Sequence, residues 1–116
     1  MRDHTKLKSY QLADALVLDV YKVTCGFPPE ERFGLASQMR RAAVSIASNV
    51  VEGSARNSET EYARFIELAY GSSRELQYQI SLAARLGYLE MGTLESAATQ
   101  VAKSLGALLK AFRRPR

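Results

Sequence analysis

The chain has 116 residues and a mass of 12.9 kDa, a size that one hydrophobic core organises comfortably and that two cores would each leave marginal. With 47% hydrophobic and 24% charged residues, and no apolar run near the ~20 residues that a membrane span needs, disordered and membrane-inserted classes are excluded. Sixteen Lys and Arg against twelve Asp and Glu give +4 and a pI near 9.4, which permits an acidic partner without marking a dedicated polycation.

Residues 1–9 are polar, lack the apolar stretch of a secretion signal, and are expected to form a mobile tail on a cytoplasmic protein. The first helix is predicted over 10–26, where Leu12, Leu16, Val20, Val23 and Phe27 recur at steps of three and four and stack on one face. Gly26-Phe27-Pro28-Pro29 ends it, because glycine accepts the left-handed cap conformation and the proline pair cannot continue the hydrogen-bond ladder. A turn through Glu30 to Gly34 leads to a second helix from Leu35 to Arg56, with Leu35, Met39, Ala42, Ala43, Ile46, Val50 and Gly53 as its apolar face.

Ser58-Glu59-Thr60-Glu61 has capping-box spacing and opens a third helix. Its stripe of Tyr62, Phe65, Ile66, Ala69, Ser73, Leu76, Ile80, Ala83 and Ala84 runs to a stop at Gly87. Gly71-Ser72-Ser73 within it suggests close approach by a neighbouring helix. Thr93 is the expected N-cap of a fourth helix, in which Leu94, Ala98, Val101, Leu105, Leu108 and Phe112 follow a four-three alternation to about Arg113. Four amphipathic helices with short connections predict an all-α fold, an antiparallel up-down-up-down four-helix bundle forming a single domain over residues 1–116.

The third helix carries more apolar surface than one bundle face uses. Leu68, Leu82 and Leu86 lie about 120° from the Phe65, Leu76 and Ile80 stripe, which places them either at a wide core boundary or, preferably, at an oligomer interface. Tyr70, Arg74, Tyr78 and Arg85 share a narrow arc that interleaves aromatic rings with guanidinium groups, as a surface for single-stranded nucleic acid would. Glu67 lies on the same arc and no β-sheet platform is expected. Tyr with Arg is equally the composition of protein interfaces, which is the preferred reading of this arc. Arg40, Arg41, Lys103, Lys110, Arg113, Arg114 and Arg116 supply most of the excess positive charge, and the residues from 113 to 116 are expected to be a mobile tail.

Catalysis finds few candidate groups. The single His4 falls in the expected tail, Cys25 is alone, and the two together cannot supply four zinc ligands or a disulfide. Glu59, Glu61, Glu67 and Glu75 come without the Glu-x-x-His pairs of a bundle metal site. A helical nuclease with an arginine followed closely by histidine is also excluded, and no cofactor is implied. The expected protein is an intracellular, metal-free non-enzyme.

The run from Phe27 through Arg40-Arg41-Ala42-Ala43 to Ile46 resembles the signature of the bacterial four-helix proteins encoded within 23S rRNA intervening sequences. Ser48-Asn49-Val50-Val51-Glu52-Gly53, Ala69-Tyr70-Gly71-Ser72-Ser73-Arg74-Glu75-Leu76 and Leu86-Gly87-Tyr88-Leu89 are similar to further elements of that family, in the same order, with Ala47 and Val51 departing from the commonest residues. The resemblance implies a homopentameric ring. It also brings in a relative, the accessory protein of diversity-generating retroelements, a basic pentamer that binds nucleic acid and a reverse transcriptase. By that resemblance Arg40 and Arg41 face phosphate or a neighbouring chain, and Asn49, Glu52, Gly53, Gly71 and Glu75 have structural roles. Two functions follow as expectations: nonspecific RNA or DNA binding by a homo-oligomer through its basic surfaces, or an adaptor gripping a protein such as a reverse transcriptase or ribosome-associated factor.

Overall fold

The structure is a computed structural model in which residues 2–113 are described; Met1, Arg114, Pro115 and Arg116 lie outside the described residues. Its elements are α1 (Lys8–Thr24), α2 (Leu35–Ser54), α3 (Glu59–Arg85) and α4 (Thr93–Phe112), with short 3-10 turns at His4–Lys6 and Pro29–Glu31. The described residues contain no strand and none of their helices is long and apolar enough to cross a membrane. α1 packs on α2 and α4, α2 on α3, and α3 on α4, in a body of 49 × 21 × 20 Å. Leu16 and Val20 of α1, Met39, Ile46 and Val50 of α2, Ile66, Leu76 and Ile80 of α3, and Val101 and Leu105 of α4 are fully buried between them.

α1 starts two residues before the sequence pattern places it, because residues 2–9 pack on the bundle instead of trailing from it. Asp3 caps the 3-10 turn by accepting from the Thr5 amide at 3.0 Å and the Thr5 hydroxyl at 2.6 Å, bonds that lower its pKa. Arg2 donates from its amide to Ser54 O and from Nη1 to Arg56 O, and its guanidinium lies 4.1 Å from the Tyr62 ring centroid. These donors meet the C-terminal end of α2, where unsatisfied carbonyls accumulate. Ser9 is buried and shares a 2.6 Å hydrogen bond with Ser104 of α4.

The connections are set by identifiable caps. Glu31 Oε1 accepts from the first α2 amide, Leu35, at 3.1 Å, while its Oε2 accepts from the Tyr88 hydroxyl at 2.9 Å, so one carboxylate joins the α1–α2 and α3–α4 connections. Ser58 caps α3 through the Glu61 amide at 3.1 Å, as the capping-box spacing predicts, while the Glu61 carboxylate turns to Arg64 at 3.8 Å. α3 ends in a Schellman motif: Gly87, at φ 82°, donates to Ala84 O, and Tyr88 donates to Ala83 O.

Three local expectations are corrected. The N-cap of α4 is Gly92, at φ 143°, and Thr93 is the first helical residue. Leu109 is buried in α4, whereas Leu108 and Phe112 are half-buried. A strict four-three alternation assumes 3.5 residues per turn, and a straight helix of 3.6 carries the core face onward to Leu109. Gly71 makes no close approach, since a Cβ there would meet nothing within 4 Å; the close contact is at Gly53, where a Cβ would lie 2.8 Å from Phe65 Cβ.

Candidate nucleic-acid interface

The outer flank of α3 and the neighbouring side of α4 form one open face. Gln77 Nε2 donates to Thr99 Oγ1 at 3.4 Å, and a Cβ on Gly106 would lie 3.6 Å from Tyr70 Cε1, so these two pairs fix which levels of the helices adjoin. Lys103, midway between Thr99 and Gly106, is thereby level with Arg74, midway between Gln77 and Tyr70. On α3, Tyr70, Arg74, Tyr78 and Arg85 occupy an arc of about 80° at 100° per residue. Arg74 donates to Gln77 Oε1 at 3.0 Å, and Arg85 donates to Ser81 O with its guanidinium 5.8 Å from the Tyr78 centroid. Tyr78 is 62% exposed, a large ring left in water. Two groups of residues that the sequence presents separately, the cations of α4 and the Tyr/Arg arc of α3, therefore share a surface.

A groove of about 630 Å³ lies in that surface, with Glu67, Tyr70 and Gly71 on its α3 side and Gly106, Lys110 and Arg113 on its α4 side. It continues past Ala63 and Phe112 into a hollow of about 400 Å³ that shares Glu67 and Arg113 with it. Two glycines in its lining leave the groove unfilled: a Cβ at Gly71 would meet nothing within 4 Å, and Gly106 leaves room beside Tyr70. Periodicity alone could not show this, although a glycine at position 106 within a strongly helical segment is a signal of it.

The sequence profile of the 23S rRNA-intervening sequence protein family matches residues 5–110. The chain belongs to that family. The fold is shared with a crystal structure of a protein of unknown function from the S23 ribosomal protein family of Bacteroides thetaiotaomicron, at 18% identity and a TM-score of 0.81, covering 88% of this chain and 95% of that one. No curated protein matches.

The elements resembling the 23S rRNA-intervening sequence family fall mainly along the α2–α3 contact. Ser45 and Ser72 share a 2.9 Å hydrogen bond across the two helices, and Asn49 Nδ2 donates to Ser45 O at 2.8 Å and to its hydroxyl at 3.1 Å. Glu75 accepts from the buried Gln79 amide at 3.0 Å. Arg41 faces a polar hollow of about 460 Å³ shared with Ser45, Ser72 and Glu75, on the opposite flank of α3 from the basic groove. Gly53 admits Tyr62 and Phe65.

The remaining candidates separate by position. Arg40 is held away from the α3–α4 face: Nε donates to Thr24 Oγ1 at 2.8 Å, Nη2 reaches Tyr21 O at 3.4 Å, and the guanidinium lies 4.6 Å from the Tyr21 centroid. This places a cation at the C-terminal end of α1, where the helix dipole favours it. Lys103, Lys110 and Arg113 are exposed on α4, while Arg114 and Arg116 lie outside the described residues. Leu68 and Leu86 are each 50% exposed on the α2 side of α3, and Leu82 is half-buried against the core. Phe33, in the turn before α2, is 88% exposed and lies on no periodic stripe that would mark it in the sequence.

Proposed function

We propose that this protein is a non-enzymatic, cytoplasmic homo-oligomer that binds RNA or DNA nonspecifically through its basic surface. The carrying observation is the convergence of Arg74, Arg85, Lys103, Lys110 and Arg113 with Tyr70 and Tyr78 on one open face. Phosphate contacts act in sum, so a ring of copies, each at +4, supplies the avidity that a single weakly basic chain lacks. The family resemblance favours a pentamer. An antiparallel up-down-up-down order fits the paired levels: Ser45 with Ser72, Gly53 with Tyr62, Gln77 with Thr99 and Tyr70 with Gly106 advance in opposite directions along neighbouring helices. Leu68 and Leu86, about 27 Å apart along α3 at 1.5 Å per residue, are the apolar surface assigned to the contact between copies.

The test is nucleic-acid affinity across a salt series for the wild type and for Arg74→Glu/Lys103→Glu/Lys110→Glu, with assembly recorded by light scattering. The variant is expected to lose binding while keeping its oligomeric state. Unchanged affinity would overturn the assignment of this surface. A second reading, an adaptor for a protein partner, is favoured by the exposed Phe33 ring; it gains if charge reversal leaves partner capture intact and Phe33→Ser abolishes it.

A further inference from the structure

The basic face carries an acid, Glu67, beside its Lys110 and Arg113 end, which a surface that only collects phosphate has no use for. Glu67 makes no ion pair among the described residues and stands on the rim of the α3–α4 groove, opposite Lys110 and Arg113 and one turn from Tyr70. The groove is open, its volume of about 630 Å³ lies in the range of sites that take a whole small molecule, and at Gly71 nothing stands within 4 Å of where a Cβ would be. A flat ring therefore has a place to lie, with an aromatic ring, a carboxylate and two cations around it.

We propose that this groove is a nucleotide slot that gives the otherwise nonspecific surface a preference for single strands and, within them, for bases carrying an amino group. The base lies against Tyr70, its exocyclic amine donates to the Glu67 carboxylate, and its phosphate is met by Lys110 and Arg113. Stacking on tyrosine requires an exposed base face, which a duplex hides between its own pairs. A carboxylate accepts from the cytosine amine and has nothing to accept from the corresponding carbonyl of uracil, which it repels. The partly exposed Tyr78 and its neighbour Arg85 continue the same arc about 12 Å further along α3 from Tyr70, at 1.5 Å per residue, and offer a second stacking position. This inference rests on the reading of the face as a nucleic-acid surface.

The experiment compares labelled oligocytidine, oligouridine and a duplex of equal length, at neutral pH and low salt, with the intact oligomeric protein. Oligocytidine is expected to bind roughly two- to tenfold more tightly than oligouridine, the range of one net hydrogen bond, and more tightly than the duplex. Glu67→Ala is expected to erase the cytidine preference while keeping or raising total affinity, because it removes a negative charge from a basic face. Gly71→Leu, a helix-favouring change that fills the slot, is expected to erase the preference for single strands. Equal wild-type binding of all three probes, or a preference that survives Glu67→Ala, overturns the slot and leaves the basic-face reading standing. No binding of any probe overturns both.

Discussion

Gly53 and Gly71 invite the same substitution and should answer it in opposite directions. At Gly53 an added Cβ would lie 2.8 Å from Phe65 Cβ, 3.2 Å from Tyr62 Cδ1 and 3.4 Å from Tyr62 O. Carbon atoms pack at about 3.5–4.0 Å, and the nearest atom is a Cβ fixed to the backbone of α3, so the two helices must separate for the methyl to enter. Overpacking of this kind costs about 1–3 kcal/mol. The gain in helix propensity, at most ~1 kcal/mol in a helix interior and less in the last turn, offsets part of it. Gly53→Ala is therefore expected to destabilise by about 1–2 kcal/mol. At Gly71, mid-helix and exposed with nothing within 4 Å, only the propensity gain operates, and Gly71→Ala should stabilise by ~0.5–1 kcal/mol. Urea unfolding followed by far-ultraviolet circular dichroism, at one protein concentration because assembly contributes to apparent stability, measures both. Shifts of the same sign in the two variants would refute the assignment of the tight contact to Gly53.

Leu109→Ala should cost about 2–4 kcal/mol and Leu108→Ala less than half of that, since only Leu109 lies in the core; equal losses by denaturant titration would restore the four-three pattern. Arg40→Met should lower stability by ~1–2 kcal/mol by removing charged hydrogen bonds to Thr24 and Tyr21, and should leave the salt dependence of nucleic-acid binding unchanged; a shallower slope would return Arg40 to the phosphate-binding set. The Glu31–Tyr88 link predicts a pH window. The Leu35 amide and then the Tyr88 hydroxyl hold the Glu31 carboxyl below its ordinary range, so its contribution is present above that range and lost as pH falls through the lowered value. Glu31 holds the Tyr88 phenol above its ordinary range, so that contribution persists below the phenol range and is lost as pH rises through the raised value. Glu31→Gln should flatten the acid side of a plot of urea midpoint against pH, and Tyr88→Phe the alkaline side; slopes indistinguishable from wild type would discount the link.

Helix number, order and most core positions were legible because apolar spacing reports burial directly. Leu16, Val20, Met39, Ile46, Ile66, Leu76, Ile80 and Leu105 sit where the 3.6-residue period places them. Boundaries were read less well where the determinant is tertiary: nothing in a polar segment at 1–9 announces that Arg2 meets the carbonyls at the end of α2. Cations posed the same difficulty. Arg40 and Arg41 are adjacent in sequence, yet about 100° of helical rotation sends one to the end of α1 and the other to the α2–α3 hollow. The α3 arc was legible, whereas its union with Lys103 and Lys110 depends on how α4 lies against α3, which Gly106 and Tyr70 settle only in three dimensions.

The paired hydroxyls carry a consequence for how this sequence can change. Ser9 with Ser104, and Ser45 with Ser72, each satisfy one another across a helix contact, and in both pairs either oxygen can be the donor. Losing Ser104 strands the buried Ser9 hydroxyl, whereas replacing both by alanine removes donor and acceptor together at little net cost; Ser45 differs, because it keeps the Asn49 amide as a second partner when Ser72 is lost. The Ser9–Ser104 pair is therefore a two-residue character, and among relatives with this packing its members should be gained and lost in step although 95 positions separate them along the chain, whereas Ser45–Ser72 belongs to a set of three with Asn49.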